Sequence, residues 1–438
     1  MMAQENSLSQ SRFPKLPLPP QIMGSEIGSF AYNTVAHRLP DIAQRVIDDN
    51  KFPLAIKPLQ NIKSRAGETP TPQEFLENSI VENLQTLIQE LPYGKVRFLK
   101  DIEAPDIAAW NNYLEPYQGN NWLDIPWYFA EAYFYRRILE ATNYFIPGDW
   151  QGFDPFENQK RLGILTSSKS IQALSPLLNK WVNSGQDSHP DNLIALLYIS
   201  LWGNRADLSL WPAESGDRSS IDIHQQKAYV LADNTDAIAN QISRFKDARI
   251  DFIIDNAGFE LFGDLCLVDF LLATNAAKTI YLQLKAHPTF VSDAMIKDIH
   301  QTIEFLGKDS DTQVQMLASR WRWYIESDRL RLCHDLFWTS PLAFWEMPDA
   351  LRQELSESDL ILIKGDANYR RLLGDRHWPF TTRFEDIVTY FPAPMVALRT
   401  LKAELASGLQ LEQIETLNRE DPQWLTNGRW GVIQFANS

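Results

Sequence analysis

The hydrophobic pattern of the chain changes near residue 227. Before that point, apolar residues recur at the three- and four-residue spacing of an amphipathic helix, as Ile42, Val46 and Ile47 do. Beyond it, short apolar runs rich in β-branched residues alternate with helical stretches. This change predicts a helical N-terminal half followed by a region in which strands and helices alternate.

Six apolar runs in the second half are predicted to be strands. They are nearly continuous rather than alternating, which is typical of parallel strands covered by helices on both faces. The long interval between residues 285 and 360 is expected to hold inserted helices. The fold class that follows is α/β, a three-layer α/β/α domain with a mostly parallel sheet, preceded by an all-helical N-terminal domain. The predicted strands are residues 228–233, 251–255, 279–285, 360–364, 395–399 and 430–435.

The expected domain limits follow from the same change of pattern. Residues 1–25 contain closely spaced prolines and are expected to form an extended arm. Residues 26–225 are assigned to the helical domain and residues 226–438 to the α/β/α domain, which would hold the functional site. A length of 438 residues agrees with more than one domain.

Charge and composition exclude several classes of partner. The 41 basic and 56 acidic side chains give a net charge of −15, which repels phosphate backbones and anionic lipid. No nucleic-acid, membrane or obligate protein partner is therefore expected. The two cysteines form no CxxC pair, the first twenty residues lack an apolar signal region, and the apolar run at residues 193–202 is too short to span a bilayer. A cytoplasmic protein is expected.

Polar and charged side chains follow four successive predicted strands. Ligands of open α/β sheets bind outside the carboxyl ends of the strands, so these side chains are expected to converge however far apart they lie in sequence. A single Asp-Asn-x-Gly after a strand would more simply be a turn with a helix cap. The repetition at one sheet edge favours a site. The side chains are Asp255, Asn256, Glu260, Lys285, Asp293, Lys364, Asp366, Asn368, Tyr369, Arg370, Arg399 and Lys402.

These residues suit phosphoryl transfer. Asp255, Asn256 and Asp293 offer the hard oxygen ligands that Mg²⁺ and Mn²⁺ prefer, and the lysines and arginines could neutralise a phosphate. Phosphoryl transfer needs charge stabilisation more than covalent chemistry. Signatures of P-loop NTPases, serine hydrolases, zincins and dinucleotide-binding proteins are missing from the sequence.

Four motifs in order and spacing resemble a known family. They are "IIDNAGFELFGDLCLVDFLL", "LKAHPTFVSDAM", "LIKGDANYRRLLGD" and "LRTLK". Together they are similar to the metal-dependent damage-control phosphatases, formerly a domain family of unknown function, and to the subgroup with an RTxK motif that includes an acidic residue methyltransferase. The similarity extends over the helical half and covers residues 20–436.

The resemblance implies a divalent-metal-dependent phosphoric monoester hydrolase acting on small phosphorylated metabolites, such as fructose 1-phosphate or fructose 6-phosphate. The metal would be Mn²⁺, Ni²⁺, Co²⁺ or Mg²⁺. Asp255, Asn256 and Asp293 match the metal ligands. Asp255 and Asp366 are the candidate catalytic residues, and the nucleophile is either a metal-bound water or Asp255 itself. The substrate-contacting positions of the family are matched by Glu260, Asp366, Asn368, Tyr369, Arg370 and Lys402. Arg399 is expected to bind the substrate with them.

Two alternatives remain open at this stage. One is an S-adenosylmethionine-dependent methyltransferase that esterifies protein glutamates, although the segment "YVLADNTDAIAN" lacks the glycine-rich loop that such chemistry usually needs. The other is a non-catalytic protein that binds a sugar phosphate without hydrolysing it.

Overall fold

The computed structural model describes residues 12–50, 72–183, 190–203 and 226–437. These residues form two compact units. The helical unit contains residues 22–160 together with residues 288–291, and the sheet unit contains the remaining described residues. The first eleven residues of the expected arm and the expected domain limit at residue 225 lie outside the described residues, so those limits remain predictions.

Helices account for most of the described residues before residue 204, in agreement with the helical periodicity. They are α1 (Phe30–Asn33), the π-helical turn Thr34–Arg38, α2 (Leu39–Asn50), α3 (Pro72–Glu90), α4 (Ile107–Leu114), α5 (Trp127–Ala141), α6 (Glu157–Thr166), α7 (Ser168–Asn183) and α8 (Pro190–Trp202).

The aromatic helix α5 is the centre of the helical unit. All of its residues are buried except Glu140. Its Arg136 is fully enclosed, where its guanidinium contacts the carboxylates of Asp101 and Asp106, each at 2.8 Å. Arg136 can be buried in this helix because two carboxylates compensate the charge that burial would otherwise penalise.

The second half alternates strands with helices. The strands are β1 (Val230–Asp233), β2 (Ala248–Ile253), β3 (Ala277–Lys285), β4 (Leu330–Asp335), β5 (Leu360–Lys364), β6 (Met395–Thr400) and β7 (Gly431–Ala436). The helices are α9 (Thr235–Ile242), α10 (Phe259–Ala273), α11 (Ile296–Gly307), α12 (Thr312–Glu326), α13 (Asp349–Leu355), α14 (Asp366–Leu372), α15 (Phe384–Ile387) and α16 (Leu411–Glu420).

Within the described residues, the strands form one seven-stranded sheet in the order β1-β7-β6-β5-β2-β3-β4. Every pairing is parallel except that of β6 with β7. Strand β2 lies between β5 and β3, with Phe252 opposite both Leu362 and Leu282. The predicted α/β fold, a mostly parallel sheet flanked by helices after a helical region, is therefore confirmed.

The interval from residue 285 to 360 holds helices, as expected, and also the strand β4, which was not predicted. This strand lies at the sheet edge, pairs only with β3, and of its residues only Leu330 is buried. Arg331 and His334 are exposed. An edge strand with polar side chains lacks the continuous apolar run by which the other strands are recognised.

Helix α8 packs closely against α10 within the sheet unit. The two helices approach at glycines: a Cβ atom on Gly203 would lie 2.7 Å from Cα of Glu260, and one on Gly263 would lie 3.2 Å from the carbonyl oxygen of Ile199. Across the ranges that the structure describes, α8 and every other helix is too short or too polar to cross a membrane.

Candidate active site

The loops after β2 and β3 are joined by main-chain hydrogen bonds. The amide of Ala294 donates to the carbonyl of Asp255, and the amide of Ala257 donates to the carbonyl of Ser292, both at 2.7 Å. Asn256 and Asp293 form a β-bridge between the two loops. This pairing brings Asp293 beside Asp255 and Asn256, as the sheet-edge argument predicted.

Asp255 is a buried carboxylate whose two oxygens differ in their surroundings. Its Oδ2 accepts a hydrogen bond from Nδ2 of Asn256 at 2.7 Å, whereas its buried Oδ1 has no hydrogen-bond partner among the described residues. Burial raises the pKa of Asp255 well above its usual value, and the charges of Asp293 and Glu260 raise it further. The site therefore favours a cation at this carboxylate.

Asn256 connects the two loops to helix α10. Its Nδ2 donates to Oε2 of Glu260 at 2.8 Å, and its Oδ1 accepts a hydrogen bond from the hydroxyl of Ser292. Glu260 lies in the first turn of α10, where the helix dipole stabilises a carboxylate. Glu260 and Ser292 together fix the orientation of the Asn256 amide.

Lys285 is the buried counter-ion of Asp293. Its ammonium lies 3.3 Å from Oδ2 of Asp293 and 3.2 Å from Oδ1 of Asn368. Asn368 in turn donates to the carbonyls of Ile254 and Lys364, at 3.2 and 2.9 Å. The Asn368 amide thus links the ends of β2 and β5 to the ammonium that faces Asp293.

The RTxK segment is ordered around Asp366. Oδ1 of Asp366 accepts hydrogen bonds from Nε of Arg399 at 2.7 Å and from the backbone amide of Lys402 at 3.1 Å. The Arg399 guanidinium also donates to the carbonyls of Leu405 and Ala403, at 2.5 and 3.2 Å. Arg399 is therefore surrounded by internal acceptors that shape this loop.

Lys402 differs from the other cations of the sheet edge. Its side chain is half-buried, and among the described residues no carboxylate lies within ion-pair distance of its ammonium. Its charge nevertheless opposes the rise in the pKa of Asp255, so the two groups are near each other. Lys402 is the cation best placed to meet an anion at this site.

Tyr369 and Arg370 have their polar atoms in internal hydrogen bonds. The Tyr369 hydroxyl donates to Oε1 of Gln434 at 2.7 Å and lies 3.1 Å from the hydroxyl of Ser407. Arg370 forms a two-pronged ion pair with Asp375, at 2.8 and 3.0 Å. Both side chains follow β5 as predicted, and these hydrogen bonds join their polar ends to Gln434, Ser407 and Asp375 rather than to Asp255 or Asp293.

One acidic residue near Asp255 and Glu260 was not predicted from the sequence. Asp264 lies one helical turn after Glu260 and contacts the ammonium of Lys364 at 3.2 Å. The i, i+4 spacing of Glu260 and Asp264 in a predicted helix was the available signal. The site and its immediate support contain more buried carboxylates than buried ammonium groups, namely Asp255, Glu260, Asp264 and Asp293 against Lys285 and Lys364.

This charge balance fits a divalent cation. When all six groups are ionised, the carboxylates exceed the ammonium groups by two charges, and buried charge without compensation is strongly unfavourable. The oxygen donors of Asp255, Asn256 and Asp293 are of the kind that hard divalent ions select. Oδ1 of Asp255 is a buried oxygen with no hydrogen-bond partner among the described residues, and such an ion would coordinate it.

Comparison with known proteins places this chain in a family. Residues 34–417 match the damage-control phosphatase ARMT1-like domain. The chain is 36% identical to damage-control phosphatase ARMT1 of Danio rerio, covering 96% of this chain and 98% of that protein. It is 34% identical to damage-control phosphatase ARMT1 of Homo sapiens, covering 95% and 98%.

A solved structure, a DUF89 family protein from Pyrococcus horikoshii, is also similar, with a TM-score of 0.43 and 13% identity over 91% of this chain and 95% of that chain. The matched range includes most of the described helices and strands. It also includes Asp255, Asp293 and the lysines and arginines of the site. The chain belongs to the ARMT1-like damage-control phosphatase domain family and is a phosphatase.

Proposed function

We propose that the chain hydrolyses phosphate monoesters of small metabolites, with sugar phosphates such as fructose 1-phosphate and fructose 6-phosphate as its substrates. The observation that carries this proposal is the buried Asp255 carboxylate beside Asp293, with the Lys402 ammonium nearby. Among the described residues, Oδ1 of Asp255 has no hydrogen-bond partner and the Lys402 ammonium has no ion-pair partner. A phosphoryl group has the charge and the oxygen atoms to be held between a bound cation and Lys402.

The metal is proposed to be Mg²⁺, Mn²⁺, Co²⁺ or Ni²⁺, held by Asp255, Asn256 and Asp293. The family is metal-dependent, which agrees with this ligand set. When bound, the ion would withdraw charge from a phosphoryl oxygen and so lower the cost of charge development in the transition state. Lys285 pairs with Asp293 from the protein side and holds its carboxylate in place.

The remaining residues are proposed to bind and orient the substrate. The Lys402 ammonium would contact a phosphoryl oxygen. Asp366 is 16% exposed, which leaves its carboxylate able to accept a hydrogen bond from a substrate hydroxyl or to take up a proton. Glu260 would act through the Asn256 amide that it holds.

Four residues first expected to contact substrate are proposed to act by holding the loops. Arg399 orders the segment that presents Lys402, and its guanidinium lies over the Tyr369 ring, 4.5 Å from the centroid. Asn368 orients Lys285, and Arg370 is paired with Asp375. Substitution of these residues would therefore disturb the site through its geometry.

The test is phosphate release from sugar phosphates and from an aryl phosphate. Protein stripped with chelator is given each divalent metal in turn, with Asp255→Ala and Asp293→Asn alongside. A matched control is Asp251→Asn, which changes a buried carboxylate on the same strand β2 that is hydrogen-bonded to Gln283 and Ser358. Metal-dependent release that both site variants abolish and the control retains supports the proposal.

The same preparation tests the two alternatives. Transfer of a labelled methyl group from S-adenosylmethionine to a protein acceptor, unaffected by Asp255→Ala, would favour the methyltransferase. Stabilisation by a sugar phosphate without turnover under any of the four metals would favour a binding protein. Either result, combined with no phosphate release, would contradict the phosphatase assignment of this site.

A further inference from the structure

Lys364, at the end of β5, is a fully buried cation whose contacts are all internal. Its ammonium lies 3.2 Å from Oδ1 of Asp264 and 3.7 Å from Oε1 of Glu260, and it donates a hydrogen bond to the carbonyl of Ser200. Its side chain is 1% exposed. Lys364 thus cannot reach a substrate phosphate, although the sequence grouped it with the phosphate-binding cations.

Glu260 lies between Lys364 and the loop after β2, which carries the proposed metal ligands Asp255 and Asn256. One of its oxygens, Oε1, is directed to the Lys364 ammonium, and the other, Oε2, accepts the hydrogen bond from Nδ2 of Asn256. The glutamate therefore transmits the position of a buried ammonium to the amide of a proposed metal ligand. Nothing else among the described residues pairs a cation with this carboxylate.

Asp264 shares the same ammonium but is directed away from the loop after β2. Its Oδ1 accepts a hydrogen bond from the hydroxyl of Ser200 at 2.5 Å. Burial raises the pKa of Asp264 to about 7, against the opposing charge of Lys364. Burial alone would lower the pKa of Lys364, but Asp264 and Glu260 raise it above its usual value, so the lysine remains charged.

The C-terminal end of α8 fixes the ammonium in place. The carbonyls of Ser200 and Leu201 lie in the last turn of α8, and they accept hydrogen bonds from Lys364 and from the hydroxyl of Thr400. Cations are favoured at a helix C-terminus, where the final carbonyls lack partners within the helix. The close approach of Gly203 to Glu260 leaves little room for rearrangement.

We propose that Lys364 is a positioning residue that acts through Glu260 on the Asn256 amide and so sets the affinity of the site for its divalent ion. This inference rests on the proposed function, because it requires Asn256 to bind a metal. Residues that orient metal ligands typically change metal affinity about 10- to 100-fold when substituted.

The test separates this role from that of a simple counter-ion of Asp264. Lys364→Met alone leaves two buried carboxylates without their cation, so it lowers thermal stability. It also makes the site more negative, which by itself attracts Mn²⁺, so the effect on metal affinity is measured in a variant with unchanged net charge. Lys364→Met combined with Asp264→Asn removes one charge of each sign. The double variant should recover most of the thermal stability of the wild-type protein, yet bind Mn²⁺ at least about tenfold more weakly, because Glu260 still lacks its ammonium.

Affinity is measured by titrating chelator-stripped protein with MnCl₂ in a calorimeter, so the readout does not depend on turnover. Lys364→Arg keeps the charge and should bind Mn²⁺ more tightly than the double variant, which has the same net charge but no cation beside Glu260. Arg320→Met is the matched control, since it breaks the ion pair between Arg320 and the buried carboxylate of Asp269. Asp269 lies on α10, as Glu260 and Asp264 do. This control should lose stability and keep its Mn²⁺ affinity.

The outcomes distinguish the inference from the proposed function. A double variant that binds Mn²⁺ as tightly as the wild-type protein would show that Lys364 only neutralises Asp264, and would overturn the inference alone. Wild-type protein that binds no Mn²⁺, Mg²⁺, Co²⁺ or Ni²⁺ would overturn the proposed metal site itself.

Discussion

The carboxylate of Asp255 lies directly against the backbone of Gly365, where β5 turns into α14. A Cβ atom built on Gly365 would overlap the Asp255 carboxylate, and the φ of Gly365, +84°, is in the left-handed region that favours glycine. The glycine therefore allows the ends of β2 and β5 to approach closely enough for the site to form.

We expect Gly365→Ala to displace Asp255 and lower metal-dependent phosphate release at least about tenfold, because misplaced reacting groups lose catalysis steeply. Gly119→Ala is a matched control, since Gly119 has nearly the same φ, +81°, and no atom within 4 Å of the added Cβ. The control also places an alanine at positive φ, without the overlap. Equal activity in the two variants, measured on folded protein, would contradict this steric argument.

Asp255 should destabilise the protein when no metal is bound. Its pKa is raised in the folded state, so ionisation of the folded protein costs stability as the pH rises above the ordinary carboxyl pKa. Asp255→Asn should therefore raise the thermal midpoint of chelator-stripped protein at pH 8 and have little effect near pH 4. With saturating Mn²⁺ the wild-type protein should be the more stable, because only its site binds the ion tightly.

Thermal unfolding with and without chelator measures this reversal. Asp251→Asn is again the control, since that carboxylate accepts hydrogen bonds from Gln283, Ser358 and Arg249 and should be stabilising under both conditions. If Asp255→Asn lowered the midpoint of the stripped protein, the buried carboxylate would not be under the electrostatic stress that its surroundings indicate.

Asp366 can be tested for two separable roles. Asparagine keeps the acceptor oxygen that receives hydrogen bonds from Arg399 and from the Lys402 amide, whereas alanine removes it. If Asp366 mainly holds the RTxK segment, Asp366→Asn should keep activity within about tenfold of wild type while Asp366→Ala loses about 100-fold or more. Equal losses in steady-state kinetics would instead assign the carboxylate to proton transfer.

Asp421 supports Lys402 from outside the site. Its carboxylate accepts hydrogen bonds from the Trp430 indole at 2.8 Å and from the Asn427 amide at 2.9 Å, and the Trp430 bond lowers its pKa. These bonds shape the turn in which a Cβ on Gly428 would lie 3.8 Å from Cε of Lys402.

We expect Asp421→Ala to raise KM for a phosphorylated substrate about three- to tenfold at pH 7, with kcat largely kept, because Lys402 would be held less firmly in the ground state and transition state alike. Glu420→Ala, which alters an exposed neighbour paired with Arg419, is the control. An unchanged KM in Asp421→Ala would show that the RTxK segment orders Lys402 without this turn.

The sequence was sufficient to predict six strands of the sheet and the proximity of Asp255 and Asp293, because continuous apolar runs mark buried parallel strands and strand ends must converge. The sequence could not show which polar groups would form hydrogen bonds or ion pairs inside the protein. Lys364, Arg370 and Arg399 read as free cations, yet each has buried acceptors that lie far away in sequence or on a following loop. Side-chain direction at a strand end depends on such partners, which spacing alone does not reveal.

Two further features depended on tertiary packing. Strand β4 has the polar composition of an edge and so gave no strand signal, although its pairing with β3 runs over six residues. Asp264 was hidden within an apolar helical motif. Its role as a partner of Lys364 depends on the packing of the end of α8 against the start of α10, where the Ser200 hydroxyl donates to Asp264.

The helical unit allows a separate test of buried charge. Arg136 neutralises Asp101 and Asp106 where none of the three is accessible to solvent, and burial raises the pKa of Asp101. Arg136→Met should lower the free energy of unfolding by about 3–5 kcal/mol, the usual cost of leaving buried charge unpaired. Since Asp101 can be protonated at lower pH, the loss should be smaller at pH 5 than at pH 8.

Urea unfolding at the two pH values measures this loss, with Arg331→Met as the control. Arg331 pairs with Asp328 at the surface, where solvent screens the charges, so its removal should have no measurable effect at either pH. Adding Asp101→Asn to Arg136→Met should restore part of the stability, because one of the two carboxylates that contacted Arg136 is then neutral. A loss that did not depend on pH would point to lost packing of the arginine against Phe145, whose ring centroid lies 4.8 Å from the guanidinium, rather than to buried charge.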